Sequence, residues 1–340
     1  MPKTDPHLII PFAKPAGITS FASLGQVKRL IGTTKVGHTG TLDSFADGLL
    51  VLLSGRLTKL VPYITDFDKT YRVLFYFGKE TDTLDPEGAV IAEKPLPVYA
   101  DFIAAIRQLT GTIEQVPPVY SALKQAGERL SDKVRRGEAV TVPPRTVTIY
   151  SIDIEEIFYA PVADTGTEHS EADTAALNTA QKVLGAVLRV RCSKGTYIRS
   201  LVRDIAHRCG SAAYVYALRR TAVGPFTLEQ AAGGSALPPF GSAAVHMESA
   251  PYLITEEEIK RAALSLSEEI ARAMHFQTTE LQEKYCPAFM NGKPISGHWF
   301  TGVQPLSDGR TIAVFYSGRC TGLITKNGNR FHYETVFNQG

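Results

Sequence analysis

Between Lys35 and Asp43 the chain sets two glycines, two threonines and a histidine directly ahead of a carboxylate, in the order Lys35-Val36-Gly37-His38-Thr39-Gly40-Thr41-Leu42-Asp43. Glycine lets a backbone approach a ligand closely. A carboxylate shown on such a loop is placed to act as a nucleophile or a base. The apolar run Leu49 to Leu53 follows shortly after, so Asp43 also stands where a side chain can simply cap the next element. Asp47 is a second carboxylate in the same stretch and reads as a surface or capping residue.

These groups need a scaffold, and the flanking patterns supply one. Leu8 to Phe12 reads as a short strand, and Lys14-Pro15-Ala16-Gly17 as a turn. Ser20 is placed to N-cap a helix that carries Phe21, Leu24, Val27 and Ile31 on one face, with Gly32 as its stop. From Tyr71 to Phe77 the odd positions alternate with the even ones as in a strand, which makes Tyr71 a core aromatic by periodicity. Gly185 to Cys192 repeats strand alternation. A Ser193-Lys194-Gly195-Thr196 turn then leads to a helix with Ile198, Leu201, Val202, Ile205 and Ala206 on one side and Gly210 at its end. Arg199 lies beside Ile198 at the buried edge of that helix, although Arg199 and Arg203 are also spaced to share a solvated face.

Two stretches stand apart by charge. Val119 to Arg145 holds six Lys or Arg against three acids, bracketed by Pro117-Pro118 and Pro143-Pro144, and reads as an inserted, partly helical basic arm. Ala160 to Gln181 has four acids, no Lys or Arg and many small residues, which reads as a flexible surface insertion. Ala231 to Ser249 has the composition of a linker. After it come a charged helical piece, Glu256 to Ala273, and strands such as Thr311 to Tyr316 and Thr321 to Thr325.

At 340 residues, one large domain plus a small β-rich one is expected. Hydrophobic content of 44% and charged content of 21% describe an ordinary globular chain. A net charge of +2 means that a nucleic-acid partner must be met by a patch rather than by the whole surface. Cys192, Cys209, Cys286 and Cys320 form no CxxC pair, so they read as reduced thiols of a cytoplasmic protein and not as a metal site. The N-terminus lacks the apolar core of a signal peptide. No apolar run approaches the roughly 20 residues of a membrane span.

Several of these motifs, in order, resemble the TruB family of tRNA pseudouridine synthases. Lys14-Pro15-Ala16-Gly17-Ile18-Thr19-Ser20 is similar to its KPxGxxS element, Lys35 to Leu42 to its GHTGTLD loop, and Lys69-Thr70-Tyr71 to its tyrosine strand. Pro117 to Lys124 resembles the start of its RNA-gripping thumb; Cys192 to Arg199 and Leu218-Arg219-Arg220-Thr221 resemble its later motifs. The family usually continues Asp-Pro-Leu-Ala-Thr-Gly, whereas this chain has Asp43-Ser44-Phe45-Ala46-Asp47-Gly48. Ala13 replaces a common aspartate.

The resemblance implies an α+β pseudouridine-synthase fold with a mixed, largely antiparallel central sheet flanked by helices. It implies a catalytic domain at 1–232 with a thumb at 119–147 and an acidic insertion at 160–182. A linker at 233–250 and a PUA-like RNA-binding domain at 251–340 would follow. The implied activity is isomerisation of uridine to pseudouridine at position 55 in the T arm of tRNA, by base flipping, with no cofactor and no metal. By the same resemblance Asp43, Tyr71 and Arg199 are catalytic. His38, Tyr197, Leu218, Lys14, Lys124, Arg135 and Arg136 contact the substrate. A monomer is expected, with the tRNA T-arm stem-loop as partner and no membrane. An RNA-guided synthase of a ribonucleoprotein and a tRNA chaperone without required catalysis are the alternatives; the intact basic arm speaks against the first.

Overall fold

The computed structural model describes residues 6–121, 124–125, 128–129, 133, 136, 138, 140–161, 181–242, 254–301 and 306–337. A nine-stranded sheet organises the first two thirds. Its strands are β1 (Ile9–Lys14), β2 (Val36–His38), β3 (Asp47–Ser54), β4 (Lys69–Phe77), β5 (Gly111–Gln115), β6 (Arg145–Tyr159), β7 (Val183–Cys192), β8 (Ala213–Val223) and β9 (Phe226–Thr227). The order is β1-β3-β8-β4-β7-β6-β5, with β2 beside β3 and β9 beside β8. Every pairing is antiparallel except β3 with β8.

That parallel contact dictates two residues. It sets Arg219 opposite Asp47 and Arg220 opposite Gly48. A Cβ on residue 48 would meet the Arg220 carbonyl at 2.4 Å, so only glycine fits. Asp47 is buried, and both its oxygens accept from Arg219, Nε to Oδ1 and Nη2 to Oδ2, each at 2.7 Å. This corrects its reading as a surface carboxylate: Asp47 is half of a bidentate pair joining two strands.

The β4 alternation is observed, with Tyr71, Val73, Phe75 and Phe77 in one core beneath α2 (Tyr99–Gln108) and α3 (Ile198–Arg208). β3 behaves differently. All eight of its residues are buried, because Leu49, Val51 and Leu53 face one cluster and Leu50 and Leu52 another. A strand covered on both faces reads as a continuous apolar run.

Helix α1 (Ser20–Ile31) is capped by Thr19, whose hydroxyl accepts from the Ala22 amide at 3.1 Å, and it ends at Gly32 in the left-handed region. Ser20 is therefore not the cap. Phe21 is 74% exposed rather than part of the buried face, which consists of Leu24 and Val27.

The C-terminal part is a five-stranded sheet of β10 (Gln277–Leu281), β11 (Phe300–Thr301), β12 (Thr311–Tyr316), β13 (Arg319–Asn327) and β14 (Arg330–Val336), in the order β11-β10-β12-β13-β14. It shares a hydrophobic cluster with the main sheet: Ile270, Met274, Phe315 and Leu323 pack with Ile9, Leu49 and Val51. The charged stretch expected as one helical piece forms two, α4 (Glu256–Ala262) and α5 (Glu268–Ala273), because Leu264 between them pairs with Ile9 at the edge of β1. A covered edge is protected from pairing with other chains.

The start of the expected linker is docked. Pro238 accepts from Arg219, and Phe240 lies under the guanidinium groups of Arg72 and Arg219, 4.7 and 5.6 Å from its ring centre. Within the basic arm, Lys124–Gln125 pairs with Glu128–Arg129 as a hairpin. Most of the acidic stretch, residues 162–180, lies outside the described residues.

Replacing Asp47 by alanine leaves Arg219 without its carboxylate, which costs on the order of 3 kcal/mol for a buried pair. Urea unfolding of Asp47→Ala should show a clear drop in midpoint; an unchanged midpoint would mean that the pair does not hold β3 to β8.

Candidate active site

The loop ahead of Asp43 has no regular backbone pairing of its own, and neighbouring elements pin it residue by residue. The Thr39 amide and hydroxyl both donate to the Val51 carbonyl, at 3.0 and 3.2 Å. Arg220, 1% exposed, reaches up from β8 and donates to the carbonyls of Leu49, Gly40 and Thr41 at 2.8, 3.3 and 3.4 Å. The Ser20 hydroxyl accepts from the Leu42 amide at 2.9 Å and donates to the Leu42 carbonyl at 3.0 Å. One side chain of α1 thus clasps the residue before Asp43. The Ser44 carbonyl accepts from the Gly17 amide at 2.8 Å and from Lys14 Nζ at 3.3 Å.

Asp43 is left partly exposed, with its carboxylate against Arg199. Arg199 is the second residue of α3 and is 4% exposed. Its Nη2 donates to Asp43 Oδ1 at 3.0 Å, while Nε lies 2.9 Å from Oδ2, at ion-pair distance but off the line of a hydrogen bond. Nη2 also reaches the Tyr120 carbonyl at 3.1 Å. Nη1 donates to the Thr83 carbonyl at 2.8 Å and to Asp85 Oδ2 at 3.1 Å. The guanidinium is therefore shared between two carboxylates. Burial pushes the Asp85 carboxyl up from the usual range, against the lowering effect of Thr83 and Arg199.

Beside this pair lies a cavity of about 520 Å³ lined by Asp43, Tyr71, Tyr197, Arg199, Leu218 and Arg220, with Lys69, Arg145 and Lys194 adding cationic groups. Tyr71 belongs to the core and to the cavity at once. Burial pushes its phenol up to about 12, so it is neutral and able to donate through the physiological range. Burial holds Lys69 down at about 8, and its Nζ donates to the carbonyls of Thr65 and Phe67, each at 2.5 Å. Gln115, 1% exposed, fixes Tyr197 by accepting from its amide at 2.8 Å and donating to its carbonyl at 3.2 Å.

Of the other expected substrate contacts, three take different places. Lys14 is fully buried, and its ammonium donates to the carbonyls of Pro15 and Ile18, both at 2.8 Å, and to Ser44. This corrects its assignment to the substrate surface: it braces the loop from within. His38 lies in β2 opposite Leu52, outside the cavity lining, with Nδ1 buried and without a hydrogen-bond partner. Burial lowers the imidazole's pKa. Arg136 is half exposed, but Glu128 and Glu138 hold it at 2.6 and 2.7 Å, which satisfies the charge expected to meet phosphate. Arg135 and the side chain of Lys124 lie outside the described residues. Among those residues, no three His, Cys, Asp or Glu side chains gather as a metal site.

Asp85, Arg220 and Ser20 were not legible as site residues. Asp85-Pro86-Glu87-Gly88 carries only the signal of a turn. Arg220 stands in a strand between Arg219 and Thr221, where nothing local marks which arginine points inward.

A carboxylate held by a buried arginine beside an aromatic-lined cavity on a mixed sheet fits the class of pseudouridine synthases. Residues 28–198 match the TruB family pseudouridylate synthase (N terminal domain). The chain is 43% identical over 361 aligned positions to the tRNA pseudouridine synthase B of Treponema pallidum (strain Nichols), covering 98% of each chain. It is 42% identical over 353 positions to that of Treponema denticola, covering 97% of this chain and 98% of the relative. The chain belongs to the TruB family. Its fold is also that of a solved Cbf5-Nop10-Gar1 complex, with a TM-score of 0.60 at 20% identity over 97% of this chain and 84% of the other.

Ser20→Ala removes both bonds to Leu42 and should cost about 1–2 kcal/mol in unfolding free energy. Full stability in that variant would show the clasp to be idle. Lys14 supplies a pH test. Its pKa is about 7 here against 10.5 in the open chain, so between those values the folded state binds fewer protons. The sign follows: stability from this group rises as pH climbs from about 7 towards 10.5. In Lys14→Met that rise should be flattened when unfolding midpoints are compared at about pH 7 and pH 9.

Proposed function

We propose that this protein isomerises uridine to pseudouridine at position 55 in the T arm of tRNA, with Asp43 as the catalytic carboxylate. The observation that carries the reading is the Asp43–Arg199 pair at the mouth of a cavity lined by Tyr71 and Leu218. The relatives' names support tRNA as the substrate.

The reaction breaks the bond from ribose C1′ to N1 of uracil and forms one from C1′ to C5. C5 loses a proton and N1 gains one. No electrons are transferred to or from the substrate, so the chain's own acids and bases suffice. Asp43 acts beside the glycosidic bond, by attack on C1′ or C6 or by removing a ribose proton. Arg199 holds it in one orientation through two contacts, a geometry that a lysine could not reproduce. Tyr71 offers the detached uracil a flat apolar face and a phenol that remains protonated. Leu218 and Tyr197 complete a pocket in which the base turns without escaping.

A base buried in a folded RNA must first leave its stack, at a cost of a few kcal/mol. Contacts to the sugar–phosphate backbone offset that cost. Arg145, exposed at the cavity and not engaged by an acid in any described ion pair, supplies one; the arm and the C-terminal sheet supply others.

A T-arm stem-loop incubated with the protein should yield pseudouridine, scored by mass spectrometry, and Asp43→Asn should yield none while still binding the RNA. Absence of product with the wild type would overturn the reading. Arg145→Ala should weaken binding and lower the slope of log K against log salt by about 1. An unchanged slope would remove Arg145 from the RNA contact.

A further inference from the structure

Ser44 directly follows Asp43 and begins the turn behind it. We propose that Glu87 restrains that turn: its carboxylate receives the Ser44 hydroxyl and so locks the backbone that aims Asp43, making Ser44 and Glu87 a positioning pair. The inference rests on reading Asp43 as the catalytic group.

The Ser44 Oγ lies 3.2 Å from each oxygen of Glu87. Glu87 is exposed, but the loop that carries it is tightly made. Asp82 and Ala89 exchange two hydrogen bonds at 3.0 Å. Asp85 Oδ1 accepts from Thr83 Oγ1 at 2.5 Å and from the Glu87 amide at 3.1 Å. Leu84 is held at a φ of 62°, which a branched side chain rarely adopts. A Cβ on Gly88 would come within 2.4 Å of both Asp82 Oδ1 and Thr83 Oγ1, so that position needs glycine.

This loop reaches the Asp43 turn by two routes. Asp85 and the Thr83 carbonyl anchor Arg199, which holds the Asp43 carboxylate. Glu87 holds the next residue, Ser44. The Asp43 side chain is fixed from one direction and its backbone from the other. Without the second contact, Ser44 is tied only through its carbonyl, to Gly17 and Lys14, and the turn is closed only by the Ala46 amide on the Asp43 carbonyl at 3.2 Å. A small misplacement of a reacting group is amplified in rate.

The experiment measures kcat and KM on a T-arm stem-loop for full-length variants, with thermal midpoints alongside. Glu87→Ala should lower kcat by roughly fivefold to tenfold at unchanged KM, with a Tm near that of the wild type. Ser44→Ala should match it, and the double variant should be no slower than either single one, because both remove the same contact. Glu87→Gln keeps an acceptor and should retain most of the rate. Ser44→Pro in the Glu87→Ala background should restore it by fixing φ directly. Wild-type kcat in Glu87→Ala, or additive losses in the double variant, would overturn the pair. If the wild type itself makes no pseudouridine, the functional reading fails instead, and the two failures are told apart in one assay.

Discussion

The carbonyls of an irregular loop, once taken from water, must find donors. From Gly40 to Ser44 each one does. Arg220 takes Gly40 and Thr41, Ser20 takes Leu42, the Ala46 amide takes Asp43, and Gly17 with Lys14 takes Ser44. Two buried cations and a buried hydroxyl do for this loop what a neighbouring strand does for regular structure. The presentation of one carboxylate therefore depends on side chains from β1, α1 and β8.

That arrangement also gathers positive charge around one cavity. Arg199 and Arg220 are buried at the cavity, Lys69 is nearly so, and Arg145 and Lys194 stand around it. In a chain of net charge +2, five cationic side chains thus line one cleft, where focusing favours an anionic ligand. Desolvation acts on the buried ammonium groups: Lys69 at the cavity is held at about 8, and Lys14 beneath the loop at about 7.

Much of the scaffold was legible because local rules settle it. The alternation of β4, the apolar stripe of α3 and the continuous run of β3 each follow from the faces they bury. The site was legible where a motif names its residues, as at Asp43, Tyr71 and Arg199, all of which meet at one cavity. It was not legible where a side chain's task is set by an element distant in sequence. Ser20 sits at a helix start and reads as a cap, yet bonds Leu42; Asp47 reads as solvated, yet pairs with Arg219 through a parallel register that no local pattern announces. Lys14 was placed against the substrate by the resemblance of its motif, and no local pattern marks it as one of the few lysines that are fully buried. Asp85 needs knowledge that its turn folds onto α3.

The double covering of β3 has a consequence for how the molecule comes apart. On one face Leu49 and Val51 pack with Ile270 and Phe315; on the other Leu50 and Leu52 pack with Leu24, Ile254 and Ile259. Both sides of the strand that leads out of the Asp43 loop are thus sealed by chain from the C-terminal third. The two sheets share packed clusters across β3. A version cut short before residue 254 would bare an oily strand at the root of the Asp43 loop, and any lost turnover would report a melted scaffold rather than a missing grip on RNA.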